Sequence, residues 1–149
     1  MTHHLRASTE IQAPIDEVFQ FFSAAENLEK ITPPSLRFQI VTPLPIEMKK
    51  DTLIDYKLRI NGVPANWTTR IPVWQPPFKF VDEQLKGPYK TWVHEHTFEE
   101  VGDKTIMMDH VAYELPFFPL GEIAYPFVHR QVRSIFSYRK KTIQQWFGE

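Results

Sequence analysis

The sequence predicts an α+β fold. A strongly curved antiparallel sheet of about seven strands wraps around one long C-terminal helix, with two short helices after the first strand. Three observations predict it. Apolar and polar residues alternate with period two in successive runs from Leu36 to Tyr113, the mark of half-buried strands. Short turns, not long crossovers, separate these runs, so neighbouring strands are antiparallel. The last part of the chain changes to helical spacing and keeps it.

Leu5, Ala7, Thr9 and Ile11 alternate with Arg6, Ser8, Glu10 and Gln12 as a first strand. Ala13-Pro14-Ile15-Asp16-Glu17 then starts a helix, because proline fits the first helical position and acids fit the first turn. Ile15, Val18, Phe19 and Phe22 form its apolar stripe. A second short helix fits Glu26 to Ile31 and must stop before Pro33-Pro34. Phe38 to Val41 reads as a strand closed by Pro43 and Pro45. In the run Leu53 to Ile60, Ile54, Tyr56, Leu58 and Ile60 share a face, opposite Asp55, Lys57 and Arg59. Asn61-Gly62 is a hairpin signal. The return strand, Val63 to Val73, holds Val63, Ala65, Trp67, Thr69, Ile71 and Val73 in phase. Arg70 is out of that phase and belongs on the surface unless a bulge turns it inward.

After Pro76-Pro77, the run Phe78 to Leu85 puts Phe78, Phe80, Asp82 and Gln84 on one face. Gly87-Pro88 turns into a strand through Lys90 to Phe98, and Val101-Gly102-Asp103-Lys104 turns into a last one, Thr105 to Tyr113. Pro116-Phe117-Phe118-Pro119-Leu120-Gly121 is an apolar loop, a lid or a contact for a partner. The final helix runs from Ile123 to Phe147, with Pro126 in its first turn or at a kink. Ala124, Val128, Val132, Ile135, Ile143 and Trp146 make its buried stripe. His129, Arg130, Arg133, Lys140, Lys141 and Gln144 cover the other side, read as a solvated face.

At 149 residues the chain is expected to be one domain, 1–149. A net charge of −1 offers no field for nucleic acid. The absence of cysteine excludes disulfides, thiolate metal sites and a cysteine nucleophile. No apolar run reaches the length of a membrane span. The first six residues lack the apolar core of a signal peptide, so the expected location is the cytoplasm. Aromatic residues are abundant, with 12 Phe, 5 Tyr and 4 Trp. They can pack a core or build rigid cavity walls.

The strand through Lys90 to Phe98 carries the chemistry. Lys90, Trp92, His94, His96 and Phe98 lie on one face, and its aromatic groups point that face inward. Two histidines among large aromatics suit a pocket with apolar walls and a few polar groups. Satisfied core histidines are the competing account. In the last strand, Met107, Asp109, Val111 and Tyr113 form one phase and Ile106, Met108, His110 and Ala112 the other. Periodicity does not choose between them.

The element order, Ala13-Pro14-Ile15-Asp16-Glu17-Val18-Phe19 after the first strand, and Asn27-Leu28 with Ile31-Thr32-Pro33-Pro34 give the chain a resemblance. It resembles the Bet v 1-like, START-related superfamily of helix-grip proteins, which includes the polyketide cyclase/dehydrase group. Gly87-Pro88-Tyr89, Trp92-Val93-His94-Glu95-His96-Thr97-Phe98 and Asp109-x-x-x-Tyr113-x-Leu115-Pro116 are similar to a bacterial subgroup of small stand-alone domains. The resemblance implies a cavity between sheet and C-terminal helix. It also favours the Asp109 phase inside, beside the histidine strand.

The expected function is binding of a small hydrophobic molecule, lipid-like, aromatic or polyketide. Tyr56, Trp92 and Phe98 supply wall area. Asp82, Gln84, His94, His96 and Asp109 orient polar groups. The alternative is a cyclase or dehydratase using His94, His96 and Asp109 as acid/base groups, as the resemblance allows. Two histidines on one strand with one carboxylate are also a minimal zinc set. No further cluster strengthens it, so neither metal nor cofactor is expected. No nucleic acid and no integral membrane association are expected, and the sequence names no protein partner.

Overall fold

Strand β1 (His3–Ile11) buries Leu5, Thr9 and Ile11 and exposes the residues between them, apart from half-buried Ala7. The computed structural model describes residues 1–148. Helix α1 (Ile15–Ser23) follows Pro14 and buries Ile15, Val18, Phe19, Phe21 and Phe22. A single turn, α2 (Asn27–Lys30), and a 3-10 turn at Pro34–Leu36 lead to β2 (Gln39–Ile40). The strand expected over Phe38 to Val41 pairs at only two residues, with Lys57 and Tyr56. Val41 and Thr42 N–H both donate to Asp55 O, at 2.8 and 3.3 Å, before Pro43 and Pro45, which lack an N–H, end the contact.

Strands β3 (Leu53–Ile60) and β4 (Val63–Gln75) form the expected hairpin. Asn61 (φ 53°) and Gly62 (φ 80°) both hold the left-handed conformation that its two-residue turn requires. Strands β5 (Lys79–Lys86), β6 (Thr91–Val101) and β7 (Lys104–Glu114) complete the sheet. Its order is β1-β7-β6-β5-β4-β3-β2, with antiparallel pairing throughout. A 3-10 turn at Leu120–Ala124 precedes α3 (Tyr125–Phe147), with Pro126 in its first turn. No helix among the described residues is long and apolar enough to cross a membrane.

Register shifts between Thr68/Thr69 and Arg70/Val73 interrupt the β4–β5 ladder. They bend the strand and change its phase. Val73 leaves the inward face expected for it, and Trp74 packs on Phe19 and Phe80 at 5.0 and 5.4 Å. Arg70 nonetheless stays outward, bound to Asp51 and Glu83 at 2.9 and 2.7 Å. Phe78 precedes β5 and is exposed, not aligned with Phe80, because it sits in the turn after Pro76-Pro77.

The stripe of α3 is Val132, Phe136, Arg139 and Ile143. Ala124 falls in the 3-10 turn and is exposed. Trp146 is also exposed, its ring against Phe21 and beneath the Lys30 ammonium. His129 is half-buried rather than solvated, and shares a 2.7 Å hydrogen bond with the Tyr113 hydroxyl.

The core has two apolar halves. One gathers Ile11, Phe19, Phe22, Phe98, Met107 and Ile143. The other gathers Leu5, Val111, Tyr113, Val132 and Phe136. On each of β6, β7 and α3 the residues between these halves are polar: His94 with His96, Asp109, and Arg139. Three elements thus place one buried charged layer across the core.

Candidate functional site

A cavity of about 190 Å³ lies between the sheet and α3. Phe22, Phe38, Leu58, Trp67, Trp92 and Ile135 build much of its apolar wall. Its polar end carries Tyr56, Thr69, Asp82, His94, His96 and Arg139. Strand register explains the polar end. Asp82 stands opposite His94, and His96 opposite Asp109. Inward side chains two residues apart also reach diagonal neighbours. The short contacts are these diagonals: His94 Nε2 to Asp109 Oδ1 at 2.7 Å and His96 Nε2 to Asp82 Oδ2 at 2.6 Å.

Each imidazole therefore spans two carboxylates. His94 Nδ1 lies 3.8 Å from Asp82 Oδ2, and His96 Nδ1 lies 3.4 Å from Asp109 Oδ1. Arg139 closes the cluster, with Nη2 at 3.4 Å from His96 Nδ1 and 3.7 Å from Asp109 Oδ1. One proton assignment satisfies every short contact. His94 donates from Nε2 to Asp109, His96 donates from Nε2 to Asp82, and Arg139 donates to His96 Nδ1. His94 Nδ1 faces Asp82 Oδ2 at 3.8 Å, beyond hydrogen-bond reach.

Burial raises the cost of charge here, and the partners reverse it. Burial alone pushes the Asp109 carboxyl up, but Arg139 and the His94 hydrogen bond hold it well below the usual carboxylate range. Asp82 is likewise lowered: burial raises it, while His94 and the His96 hydrogen bond prevail. For His96 burial dominates, helped by His94, and pushes the imidazole down to about 4 against the pull of Asp82. Burial, then Asp82, drives the Tyr56 phenol up, so it stays protonated as a hydrogen-bond donor. That hydroxyl meets Thr69 Oγ1 at 2.9 Å.

Five of the eight sequence-derived candidates line the cavity: Tyr56, Asp82, Trp92, His94 and His96. Asp109 is buried behind the cavity wall and reaches it through His94, His96 and Arg139. Phe98 packs beneath, among Phe19, Phe22 and Phe80. Gln84 is directed elsewhere. Its amide donates to Tyr89 O at 2.7 Å and accepts from Tyr89 N–H at 3.1 Å, clamping the Gly87-Pro88 turn. A Cβ at Gly87 would collide with that side chain.

Arg139 joins the site although it is not among the sequence-derived candidates. Its signal was spacing, since it lies four residues before Ile143 and seven after Val132 on the buried stripe. Asp82, His94 and His96 bring three donor atoms within 4.8 Å of one another. The two rings stack at 3.6 Å between centroids, so their in-plane lone pairs run side by side instead of converging. Arg139 adds a positive charge beside them. Both features suit an acid–base cluster better than a bound cation.

The family of polyketide cyclase / dehydrase and lipid transport proteins matches residues 11–138, and the chain belongs to it. No curated protein matches the sequence. Among solved structures, the Zhui aromatase/cyclase from a Streptomyces species is similar at TM-score 0.80 and 14% identity, covering 99% of this chain and 94% of that one. A START superfamily protein from Mycobacterium smegmatis gives TM-score 0.71 at 12% identity, covering 97% and 99%. The ginseng major latex-like protein 151 from Panax ginseng gives 0.68 at 13%, covering 98% and 97%. At these identities the likeness is one of fold alone, the helix-grip architecture.

Proposed function

We propose that the protein binds one small, mainly apolar molecule in the cavity, with a polar group of that molecule against Asp82, His94 and Tyr56. The observation that carries this reading is the division of the cavity. Its wall is mostly aromatic and aliphatic, and Asp82, His94, His96 and Arg139 form one connected polar cluster in it, apart from the lining residues Asn27, Thr32 and Gln131. Such a site buries most of a ligand and fixes its orientation with few hydrogen bonds. Size narrows the class. Apolar protein cavities of about 150 Å³ accept benzene, so about 190 Å³ suits one or two rings or a short acyl chain. Asp82 is the most accessible acceptor of the cluster, at 19% exposure. A ligand hydroxyl or amine fits it better than a carboxylate.

Calorimetry with naphthol, an aromatic of this size carrying one hydroxyl, tests the reading. Binding of one equivalent is expected. Asp82→Asn should weaken it by roughly 1–3 kcal/mol, the cost of a mismatched buried polar contact. Absence of saturable binding to naphthol and to other hydroxylated aromatics of that size contradicts the reading.

A second reading has its own observation: His94 lines the cavity with its Nε2 held by the Asp109 carboxylate at 2.7 Å, the placement of an oriented acid–base group. It supports a cyclase or dehydratase acting on a ligand held in the same place, in line with the structural likeness to an aromatase/cyclase. Mass analysis of any co-purifying molecule after long incubation separates the two. A binder returns it unchanged. An enzyme alters it, and His94→Gln then abolishes the change while leaving binding nearly intact.

A further inference from the structure

Five large apolar side chains stand in water around the start of α3. Phe117 is 82% exposed and Ile123 80%, and Phe118, Leu120 and Phe127 are exposed with them. None lines the cavity, so in this arrangement they are not its lid. Single exposed apolar residues are ordinary, but this many in one short segment make a patch of the kind that marks a contact surface.

The segment is braced. Gly121 N–H donates to Phe117 O at 2.9 Å, and Glu122 N–H to Pro119 O at 3.1 Å. Glu122 accepts from His3 Nε2 at 2.7 Å, and the His3 ring stacks on Tyr125 at 3.8 Å. Phe117 itself holds φ 62°, a left-handed conformation that bulky residues avoid, and its ring projects outward. The apolar groups are held out, not left loose.

Charge adds a second, independent observation. From Leu115 to Gly148 the sole acid is Glu122, and His3 pairs with it. Arg130, Arg133, Lys140 and Lys141 are exposed on α3, in a chain of net charge −1. By their spacing, Arg130 and Lys141 lie on the side of Phe127, and Arg133 and Lys140 on the adjoining flank. Phe127, Arg130, Ser134 and Lys141 fall on one side of the helix by their spacing. Solvation alone explains the cations but leaves the apolar tip without a role.

We propose that the Phe117–Phe127 patch and the outer face of α3 form one peripheral docking surface for an anionic lipid bilayer. The rings insert at the headgroup boundary and the cations lie against lipid phosphates, the pairing that interfacial helices use. Phe127 stands one turn before Gln131, which lines the cavity and donates to Asn61 Oδ1 of the β3–β4 turn at 3.3 Å. Docking therefore brings that edge of the cavity to the membrane. The surface does not depend on which molecule the cavity holds.

Vesicle flotation tests it. The protein should float with vesicles of phosphatidylcholine mixed with phosphatidylglycerol, stay behind with pure phosphatidylcholine, and be released by salt. The double variants Phe117→Ser/Phe118→Ser and Arg130→Gln/Arg133→Gln should each lower partitioning by about tenfold or more. All four positions are exposed, and unchanged melting temperatures check that the variants fold. A readout on the wild type is independent of the variants: hydrogen exchange over residues 117–127 should slow when anionic vesicles are added. Equal binding to neutral vesicles, full binding by the phenylalanine variant, or unchanged exchange overturns the proposal. So does a concentration-dependent dimer, without vesicle binding, that the same phenylalanine variant dissociates.

Discussion

Asp109 holds a buried arginine and two histidines in place with one carboxylate. Asp109→Asn leaves the Arg139 guanidinium buried without its counter-ion, a change that costs about 3–5 kcal/mol. Urea denaturation should show a midpoint far below wild type. Arg70→Gln, at an exposed ion pair, should leave the midpoint unchanged. The cluster also sets a pH dependence. An imidazole whose folded pKa lies below its unfolded value binds fewer protons folded than unfolded between the two. His96, pushed from 6.5 to about 4, makes stability rise with pH across that window and fall on acidification through it. The lowered carboxylates of Asp82 and Asp109 contribute above their ordinary pKa and lose that contribution only at lower pH. Denaturation midpoints of wild type should therefore fall between pH 6.5 and 4, and those of His96→Gln should fall less. Equal slopes would mean that His96 does not carry the effect. His94, His96 and Asp82 were legible as inward groups because strand period two assigns them without ambiguity. Asp109 was not, since both phases of its strand are equally apolar. Gln84 shares the inward phase of Asp82, yet a local turn contact captured its amide, and no periodicity encodes that.

At the scale of elements, α3 gives the sharpest contrast. Val132 is fully buried and Arg133 beside it is exposed. Val132→Asp puts an unpaired charge into the core at a cost of several kcal/mol, against a total stability of roughly 5–15 kcal/mol. It should be largely unfolded by circular dichroism, while Arg133→Asp keeps the wild-type spectrum. Similar melting temperatures for both would contradict the observed face of the helix. The β3–β4 turn offers a backbone counterpart. Gly62 holds φ 80°, so Gly62→Val should lower stability by about 1–2 kcal/mol. The strands, the hairpin and the last helix were all legible, because each has a period or a turn signal of its own. The bulges of β4 were not, since they depend on how the strand must coil to meet β5. Trp74 therefore took the inward place expected of Val73. Arg139 was hidden by its charge, although its spacing put it on the buried stripe. A buried arginine makes sense only once Asp109 is known to face it.

On the scale of the whole molecule, one layer of charge divides two apolar halves of the core and borders the cavity between sheet and helix. In the proposed function this cavity is a container for a small apolar molecule. Native mass spectrometry of protein purified without denaturation, then incubated with naphthol, tests it most directly. Wild type should carry one small molecule per chain, co-purified or naphthol itself. Ile135→Trp, which adds a ring to the cavity wall, should fold with an unchanged circular dichroism spectrum and carry none. Wild-type protein that remains free of any small molecule, or a filled variant that carries it as fully as wild type, would contradict the claim.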